Sequence, residues 1–441
     1  MTDCVYTGAA SNVRQVDTIT IALTWAQADT ITLTIGGVDF VVTIGTLTTT
    51  AQVATTLKQA FNGETLTDTS ASYNVFGGAI AIPQFRMITA SVSGSVVTLT
   101  QSSASWNRFP GKPWVMTITG DGTAGDGTAT LANVTAATGK HHANNADNWS
   151  NALAHGVRLI FPSGCPDCLY NLTLSIQPSE IIVMKGSGKI GLAYTNNDDQ
   201  GYPYYEYLGR YLVSGSNSAS STATIGLGDG DAARRINIDF STLAFTVTVY
   251  GSGSREITSI PPICLKGSNT SNVLTNYAGD VGWNYFPEET GGDLSVCRNS
   301  GTSAKTFLGS GVSLGDSTIV CAGGYMETNS LTTTSSSIAV TGGKLVINTG
   351  NQLAITVSEG GSVALRNTGS TITTLTMYGG TVTKETAGAL TITNVLQLYQ
   401  GAKFLAPDGN VTLSAGFKLN GCALRDVTID VGENHTYTVS A

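Results

Sequence analysis

A glycine-centred repeat governs the C-terminal part of this 441-residue chain. The marker glycines are Gly324, Gly343, Gly361, Gly380, Gly401 and Gly421, at successive spacings of 19, 18, 19, 21 and 20 residues. A fixed period of this size is typical of a solenoid, in which each repeat stacks on the one before it. Glycine suits a corner of such a coil because it adopts positive φ at no steric cost.

Apolar residues recur at fixed distances from these glycines. The residues two positions after a marker are Met326, Leu345, Val363 and Val382, and the pairs ten and twelve positions after a marker are Leu353 and Ile355, Leu390 and Ile392, and Val411 and Leu413. A spacing of two places both members of a pair on one face of a β-strand. Each repeat therefore predicts one coil of a β-helix, and Val427, Ile429 and Val431 form the last inward-facing set.

Composition favours strands over helices throughout the chain. Charged residues make up 12% of it, about half the usual ~25%, and the 52 glycines are accompanied by abundant Thr and Ser. β-branched, uncharged sequence punctuated by glycine is typical of strands and tight turns. We therefore predict an all-β fold: an N-terminal β-sandwich-like module with one helix, followed by a capped single-chain β-helix of about 18–21 residues per coil.

Charge and hydropathy argue against nucleic-acid and membrane partners. The net charge is −8, and Arg234-Arg235 is the densest basic segment, so binding to a phosphate backbone is not expected. The segment Met1-Thr2-Asp3-Cys4 lacks the basic and apolar regions of a secretory signal, and no apolar stretch reaches ~18 residues. We expect neither export by such a signal nor membrane insertion.

The chain divides into four predicted segments. Residues 1–137 form a β-rich attachment module, 138–156 a linker and capping helix, 157–312 an irregular β-helix with loop inserts, and 313–441 the regular glycine-punctuated β-helix. Within the module, Gly36-Gly37 joins two alternating stretches as a hairpin, and one helix runs from the cap Thr49-Thr50 to the stop at Gly63. In the linker, Ala146, Trp149 and Leu153 recur at helical spacing, which predicts a short helix over the open first coil.

The cysteines and histidines do not form a recognisable metal or catalytic motif. The seven cysteines are odd in number and irregularly spaced, which favours a reducing compartment over a disulfide framework. Cys165-Pro166-Asp167-Cys168 has metal-like spacing, but no second pair completes four zinc ligands, so two ordinary cysteines in a turn are favoured. His141, His142 and His155 are predicted to be solvated surface residues. We predict no metal and no cofactor.

The acidic residues are candidate catalytic groups, because glycoside hydrolysis needs two carboxylates about 5–10 Å apart. The candidates are Asp198-Asp199, Glu206, Asp229, Asp231, Asp239 and Glu288-Glu289. The sequence does not single out one pair. We therefore predict a protein without enzymatic activity, and Asp229 and Asp231 are the residues whose replacement would test the opposite view.

Aromatic residues provide the candidate binding site. The first cluster contains Tyr202, Tyr204, Tyr205, Tyr207 and Tyr211, and the second contains Trp283, Tyr285 and Phe286. Tyrosines beside a carboxylate and an arginine can stack on sugars, or they can pack in an interface between protein subunits. Both interpretations stay open, and the interface is the favoured one.

Three stretches resemble sequences from tailed bacteriophages and prophages. They are Asp147-Asn148-Trp149-Ser150-Asn151-Ala152, Pro262-Ile263-Cys264-Leu265-Lys266-Gly267, and the short Thr- and Gly-rich repeats of residues 374–382. They resemble segments of virion structural proteins with a β-helical rod, of the decoration or fibre type. That resemblance implies an N-terminal module that attaches to the particle, a projecting rod, and in many cases a homotrimer.

These observations lead to one favoured function and two alternatives. We expect a bacteriophage virion structural protein, a capsid decoration or fibre-like rod, assembled in the host bacterial cytoplasm. Its expected partners are copies of itself, most simply in a homotrimer, and other proteins of the capsid or tail. The alternatives are a tail fibre that binds a receptor or a host surface glycan through the tyrosine clusters, and a tailspike that depolymerises a glycan.

Overall fold

The structure is a computed structural model. It describes residues 1–102, 111–121, 126–198, 201–204, 209–215, 220–229, 234–252, 260–286, 289, 292–310, 312–313, 318–329, 337–348, 351–367, 369–407, 410–432 and 437–439, of which 313, 351–353 and 437–439 are described by their backbone alone. The predicted fold class is confirmed: nearly all regular structure is β, with an N-terminal sheet module and a solenoid of about ten turns between residues ~158 and 430.

The N-terminal part begins with a short strand and continues into two antiparallel sheets. In chain order the elements are β1 (Asp3–Val5), β2 (Val16–Ala22), β3 (Thr30–Ile35), β4 (Val38–Thr43), α1 (Thr50–Asn62), β5 (Ser72–Tyr73), β6 (Ile88–Ser93), β7 (Val96–Gln101), β8 (Thr117–Asp121) and β9 (Thr128–Thr135). One sheet has the order β6-β7-β2-β9 and the other β5-β4-β3-β8. Their alternating buried residues and one face of α1 enclose a separate hydrophobic core.

The hairpin and the helix predicted in the module are both present. Strands β3 and β4 form the expected hairpin, with Ile35 paired to Val38 across Gly36 and Gly37, both at positive φ. Helix α1 starts after Thr49, whose backbone N–H donates to the Gln52 side chain, and it ends at Gly63 in the left-handed region. Neither α1 nor any other helix among the described residues is long and apolar enough to cross a membrane.

The remaining strands build the solenoid. They are β10 (Arg158–Phe161), β11 (Glu180–Met184), β12 (Leu212–Val213), β13 (Ser220–Leu227), β14 (Ile236–Asp239), β15 (Ala244–Val249), β16 (Ile263–Lys266), β17 (Val273–Asn276), β18 (Gly279–Trp283), β19 (Gly292–Asp293), β20 (Val296–Asn299), β21 (Ala304–Leu308), β22 (Val312–Ser313), β23 (Thr318–Cys321), β24 (Tyr325–Thr328), β25 (Ser337–Val340), β26 (Gly343–Ile347), β27 (Asn351–Ser358), β28 (Gly361–Leu365), β29 (Gly369–Tyr378), β30 (Thr381–Lys384), β31 (Ala389–Ile392), β32 (Leu396–Leu398), β33 (Lys403–Leu405), β34 (Val411–Leu413), β35 (Phe417–Leu419), β36 (Thr428–Asp430) and β37 (Tyr437–Val439).

Apart from β19 and β22, which pair with each other in a two-stranded sheet, these strands alternate between two long parallel sheets that face each other across one core. Sheet 1 has 16 strands, in the order β1-β10-β11-β13-β15-β17-β20-β23-β25-β27-β29-β31-β34-β37, with β32 and β35 continuing beside β29. Sheet 2 has 11 strands, in the order β12-β14-β16-β18-β21-β24-β26-β28-β30-β33-β36. Every second residue of each strand points inward, so the stacked coils form continuous apolar rows.

The repeat predicted from glycine spacing matches the coils. Met326, Leu345, Val363 and Val382 are fully buried, and so are the later pairs Leu390 and Ile392 and Val411 and Leu413. Five of the marker glycines have positive φ at the corners, whereas at the third corner Gly360 takes that conformation in place of Gly361. The last predicted inward set, Val427, Ile429 and Val431, is partly buried against the end of the core.

The helix predicted over residues 144–155 is wrong, although this segment does cover the first coil. It forms only a 3-10 turn, Ala146–Asn148, because asparagine side chains bind its backbone: Asn145 accepts from the N–H of Asp147, and Asn148 donates to Gly139 and His142. The ring of Trp149 still packs at the end of the core, 5.1 Å from that of Tyr6.

The chain starts in the solenoid, leaves it for the module and then returns. Strand β1 is parallel to β10 at the edge of sheet 1, with Cys4 opposite Leu159. On its free side the segment after the 3-10 turn completes the hydrogen bonds: Ser150 N donates to Val5 O at 2.9 Å, and Asn151 donates to Asp3 O at 2.8 Å. The range 1–137, predicted as one attachment module, thus contributes its first strand to the rod.

Candidate functional site

A cleft on the outer wall of sheet 2 is the candidate functional site. In β14 and β16 the inward positions are Ile236, Ile238, Ile263 and Leu265, which belong to the solenoid core. The alternate residues Asn237 and Cys264 therefore point outward. Both are buried nonetheless, at 0% and 1% exposure, because described residues of the connecting segments cover the wall: Tyr211 and Phe286 pack with Cys264, and the Leu192 carbonyl accepts from the Asn237 amide.

These covering segments leave an open cleft of about 440 Å³. Its wall includes Tyr194, Asp198, Arg235, Asn237, Ile260 and Phe286. A second depression of about 330 Å³ lies beside it, lined by Tyr194, Ile260 and Phe286 on the shared side and by Tyr285 and Asn329 on the other. The volume of the larger cleft falls within the range of small-ligand sites.

An aromatic ridge separates the two depressions. The rings of Tyr194 and Phe286 stack at 5.1 Å between centroids with an interplanar angle of 22°. The guanidinium of Arg210 lies 5.4 Å from each of these two ring centroids. Arg210 thus holds the two aromatic side chains together from the side by cation–π contacts. The ridge is preorganised, because it does not depend on a ligand to bring its rings together.

Polar groups of fixed orientation form the floor of the larger cleft. The Nε and Nη2 atoms of Arg235 donate to the Gly191 carbonyl at 3.3 and 3.0 Å. The side-chain amide of Asn237 donates to the Leu192 carbonyl at 2.7 Å, and its Oδ1 atom has no hydrogen-bond partner among the described residues. A buried amide oxygen of this kind is suited to accept from a ligand hydroxyl or N–H group.

An acidic pair lies next to the cleft, beneath Tyr211. The ammonium of Lys266 is 3.9 Å from Asp239 Oδ2 and 3.7 Å from Glu289 Oε1. Burial raises the pKa of both the Asp239 and the Glu289 carboxyl groups, while Lys266 opposes the rise. Each of the two carboxyl groups therefore keeps its proton to a higher pH than an exposed one does. Neither of them is part of the described cleft wall, so the geometry does not place them against a ligand there.

Several residues predicted for binding do not line this cleft. Tyr204 is 6% exposed, and its hydroxyl donates to the Ala193 carbonyl at 2.6 Å, so it fixes the wall rather than lining it. Tyr211 is 5% exposed and packs against Phe286. Tyr202 lies at the junction with the module, its ring 5.7 Å from the Lys112 ammonium. Tyr205 and Tyr207 lie outside the described residues.

The second predicted cluster is divided by the wall itself. Trp283 points inward and is fully buried, stacked on Phe240 inside the rod, so its assignment to a binding surface is corrected. Its position follows from strand alternation, since Val281 and Trp283 face inward while Gly282 faces outward. Tyr285 lines the smaller depression, and Phe286 forms half of the ridge. The sequence pointed to Phe286 through its aromatic cluster, whereas Tyr194, Arg235 and Asn237 had no distinguishing sequence pattern.

Two of the three histidines predicted to be solvated, His141 and His142, are buried, which corrects that expectation, whereas His155 is exposed as predicted. His142 is 1% exposed, with Nε2 2.6 Å from Gly111 O and Nδ1 2.9 Å from the Asn171 amide nitrogen. His141 is 8% exposed, with Nδ1 2.7 Å from Asp167 O. Burial lowers the pKa of both, in His142 to about 4. They are neutral structural groups at the junction.

The other sequence candidates do not assemble into a centre. All seven cysteines are free thiols, and Cys168 is fully buried beside Tyr6, where desolvation raises its pKa. Among the described residues no three His, Cys, Asp or Glu side chains come together in a way that could hold a metal ion. Asp229 is exposed, and Asp231 lies outside the described residues.

No protein-family model, curated protein or solved structure matches this chain.

Proposed function

We propose that this protein is a structural rod of a tailed-bacteriophage virion, either a capsid decoration or a fibre-like projection. Its N-terminal module would attach to the particle, and its solenoid would project from it or lie along its surface. In this proposal the rod works mechanically and without catalysis, and it is assembled in the host bacterial cytoplasm. Its partners are other virion proteins and further copies of itself, most simply in a homotrimer.

The observation that carries the proposal is the rigid union of module and rod. Strand β1 belongs to sheet 1, and the buried Lys112–Asp198 ion pair, 2.8 Å long, ties the module to a solenoid loop. A load on the rod would thus be transmitted to the module through buried contacts rather than through a flexible linker. Continuous parallel ladders and stacked apolar rows supply the stiffness without a cofactor.

The free state of all seven cysteines is compatible with assembly in a reducing compartment. The shortage of charge also fits a protein whose surface is largely covered in a particle, because charged side chains are depleted from the centres of protein interfaces. These features support the proposal without distinguishing a head decoration from a tail fibre.

The proposal is tested on purified particles. Virions produced by the phage or induced prophage that encodes this chain would be analysed by peptide mass spectrometry and by immunogold electron microscopy. We expect the chain in the particles, with gold label on the capsid surface or on the tail. Particles that lack the chain, with all of it in the host cell lysate, would overturn the proposal.

A second candidate function is binding of a host surface glycan in the outer-wall cleft. The observation that favours it is the preorganised Tyr194–Phe286 ridge beside the buried, unpartnered Asn237 Oδ1 atom. Aromatic faces stack on the apolar face of a sugar ring, and an amide oxygen accepts from its hydroxyl groups. The described residues place no carboxylate pair in this cleft, so we propose binding rather than cleavage.

Glycan binding is tested on an array of bacterial polysaccharides with the full chain. Replacing Tyr194 with alanine should reduce binding at least tenfold, since it removes half of the ridge. The control is Phe76→Ala, which removes a fully exposed aromatic side chain from the N-terminal module. Equal binding by the wild type and both variants, or no binding by the wild type, would refute this second function and leave the structural proposal in place.

A further inference from the structure

The two long sheets present very different outer faces. On sheet 2 the outward positions carry charges that pair across the coils: Lys305 lies 3.8 Å from Asp280, and Lys344 3.3 Å from Glu385, which also accepts from Arg366 at 2.8 Å. Such ion-pair ladders are typical of a face that stays in water. The outer face of sheet 2 is therefore solvated at these charged positions along the regular coils, although its outward residues Val346 and Ala364 are buried.

The outer face of sheet 1 has almost no charge over the same coils. Strand register aligns its outward residues in three columns. The first column contains Thr246, Val273, Val296, Thr318, Ser337, Ala354 and Thr374. The central column contains Thr248, Thr275, Arg298, Val320, Ala339, Thr356, Thr376 and Gln397, and the border column contains Tyr250, Tyr277, Ser300, Ala322, Thr341, Ser358, Tyr378 and Tyr399. Arg298 alone is charged among them. We call this three-column surface the uncharged face.

The uncharged face is accessible to a partner. Its central column is half-buried only because neighbouring strands flank each side chain, and Thr246, Ala322, Ser337 and Thr341 are exposed. Tyrosines mark both ends of its border column. Tyr250 stacks on Tyr277 at 5.2 Å between ring centroids, and the rings of Tyr378 and Tyr399 contact each other at 4.5 Å with a tilt of 36°. Between 43% and 52% of the surfaces of Tyr250, Tyr277 and Tyr378 is exposed.

Physical chemistry predicts that such a face is covered. Sheet 1 has only its inner face covered by the solenoid core, and its outer face lacks the paired charges that keep the outer face of sheet 2 in water. Short Thr, Val, Ala and Ser side chains make the face flat, and removing them from water costs little free energy. Charged side chains would have to be paired before burial. Exposed tyrosines are enriched at protein interfaces, where they supply rigid contact area.

The size of the face fits a second copy of this chain as the partner that covers it. Eight strands at about 4.8 Å and three columns about 7 Å apart give a surface of roughly 700–800 Å². That matches the ~800 Å² per partner of a standard protein interface. We propose that copies of this chain pack against one another through the uncharged face. The inference deepens the proposed rod function, on whose self-association it rests, by assigning the surface that joins the copies.

The test places one charge at the centre of the face. Ala339→Arg lies in the middle column, and Ser362→Arg is its control on the solvated outer face of sheet 2, at a half-buried outward position of β28. Mass by light scattering and analytical ultracentrifugation is measured on the full chain at tens of micromolar, with circular dichroism as the check of folding. We expect the wild type and Ser362→Arg to be oligomers and Ala339→Arg to be a folded monomer, with at least hundredfold weaker association.

Two outcomes would overturn the inference. A monomeric wild type would show that no copy covers the face. An Ala339→Arg protein with unchanged oligomeric mass would place the interface elsewhere. An unfolded Ala339→Arg protein would transfer the test to Thr356→Arg in the neighbouring coil, to which the same expected result applies. The proposed virion role fails separately, by absence of the chain from particles, so the two failures are distinguishable.

Discussion

The ammonium nitrogen of Lys112, in the N-terminal module, lies 2.8 Å from Oδ2 of Asp198, in a loop of the solenoid, and the two side chains are only 0% and 2% exposed. The same nitrogen donates to the Tyr202 carbonyl at 3.1 Å. Desolvation lowers the pKa of Lys112 to about 8, although the Asp198 charge opposes the shift. Two charges have thus been taken out of water to join parts of the chain that are 86 residues apart.

Breaking this ion pair should loosen the module from the rod. Lys112→Met leaves a buried carboxylate without its lysine, which typically costs about 3–5 kcal/mol. We expect a lower thermal midpoint and faster hydrogen exchange at residues 111–116 and 201–204. The control, Lys58→Met, removes the partly exposed Lys58–Glu64 pair and should cost at most about 1 kcal/mol. Equal effects of the two substitutions would contradict a structural role for the buried pair.

Features written in local sequence were predicted correctly. The hairpin at Gly36-Gly37 and the helix between Thr49 and Gly63 depend on residues a few positions apart, and the coils depend on a repeat near 20 residues. In each case the same short pattern fixes backbone conformation and the buried face together. Such patterns can be recognised in the sequence because they do not depend on contacts with distant residues.

Features made by distant contacts were not predicted. His142 looked like a surface residue because its partners, Gly111 and Asn171, are 31 and 29 positions away. The aromatic ridge was missed for the same reason: Tyr194 and Phe286 meet only because two loops fold over sheet 2. Trp283 was assigned to a surface because the inward register of β18 is set by its neighbouring strands rather than by its own short sequence.

Acid should destabilise the junction through His142. Its pKa in the folded protein is lowered to about 4 by burial, against about 6.5 in an unfolded chain. The folded state therefore binds this proton less readily than the unfolded state, so stability is full above pH 6.5 and is lost as the pH falls from 6.5 toward 4. The loss should approach about 3 kcal/mol at pH 4.

The measurement compares thermal midpoints at pH 7 and pH 4.5. His142→Gln should show a smaller acid-induced decrease than the wild type, because it removes the group that titrates. His155→Gln, which changes an exposed histidine, should retain the full wild-type decrease. If all three proteins lose the same stability in acid, the buried imidazole is not the cause.

The corner glycines should differ sharply in their tolerance of alanine. Gly343 has φ +70°, and a Cβ atom there would lie 2.5 Å from the Gly324 carbonyl oxygen of the preceding coil. Gly401 has φ +80°, but no atom lies within 4 Å of its Cβ position. Both substitutions pay about 1–2 kcal/mol for left-handed backbone, and only Gly343→Ala also forces stacked coils apart.

We therefore expect Gly343→Ala to lower the thermal midpoint several degrees more than Gly401→Ala does. Calorimetry on the full chain measures both. A midpoint for Gly401→Ala as low as that for Gly343→Ala would mean that backbone conformation, rather than close stacking of the coils, decides the cost at these corners.

The free energy of unfolding of the rod should rise toward alkaline pH, because Lys384 is buried. Lys384 occupies an inward position of β30 opposite Leu365, is fully buried, and donates to Asn367 O and, at 2.8 Å, to Thr386 Oγ1. No carboxylate pairs with it among the described residues. Desolvation lowers its pKa in the folded state below the 10.5 of an exposed lysine.

The unfolded chain therefore binds this proton more readily, and stability rises with pH across the window that ends near 10.5. Lys384→Met removes that dependence, so the thermal midpoint of the wild type should gain on that of the variant between pH 7.5 and pH 10. Lys403→Met, at an exposed outward position of β33, controls for general effects of lost charge and should track the wild type at both pH values. A constant difference between the wild type and Lys384→Met would mean that the buried lysine is neutral, or equally protonated in the folded and unfolded states, over the whole range.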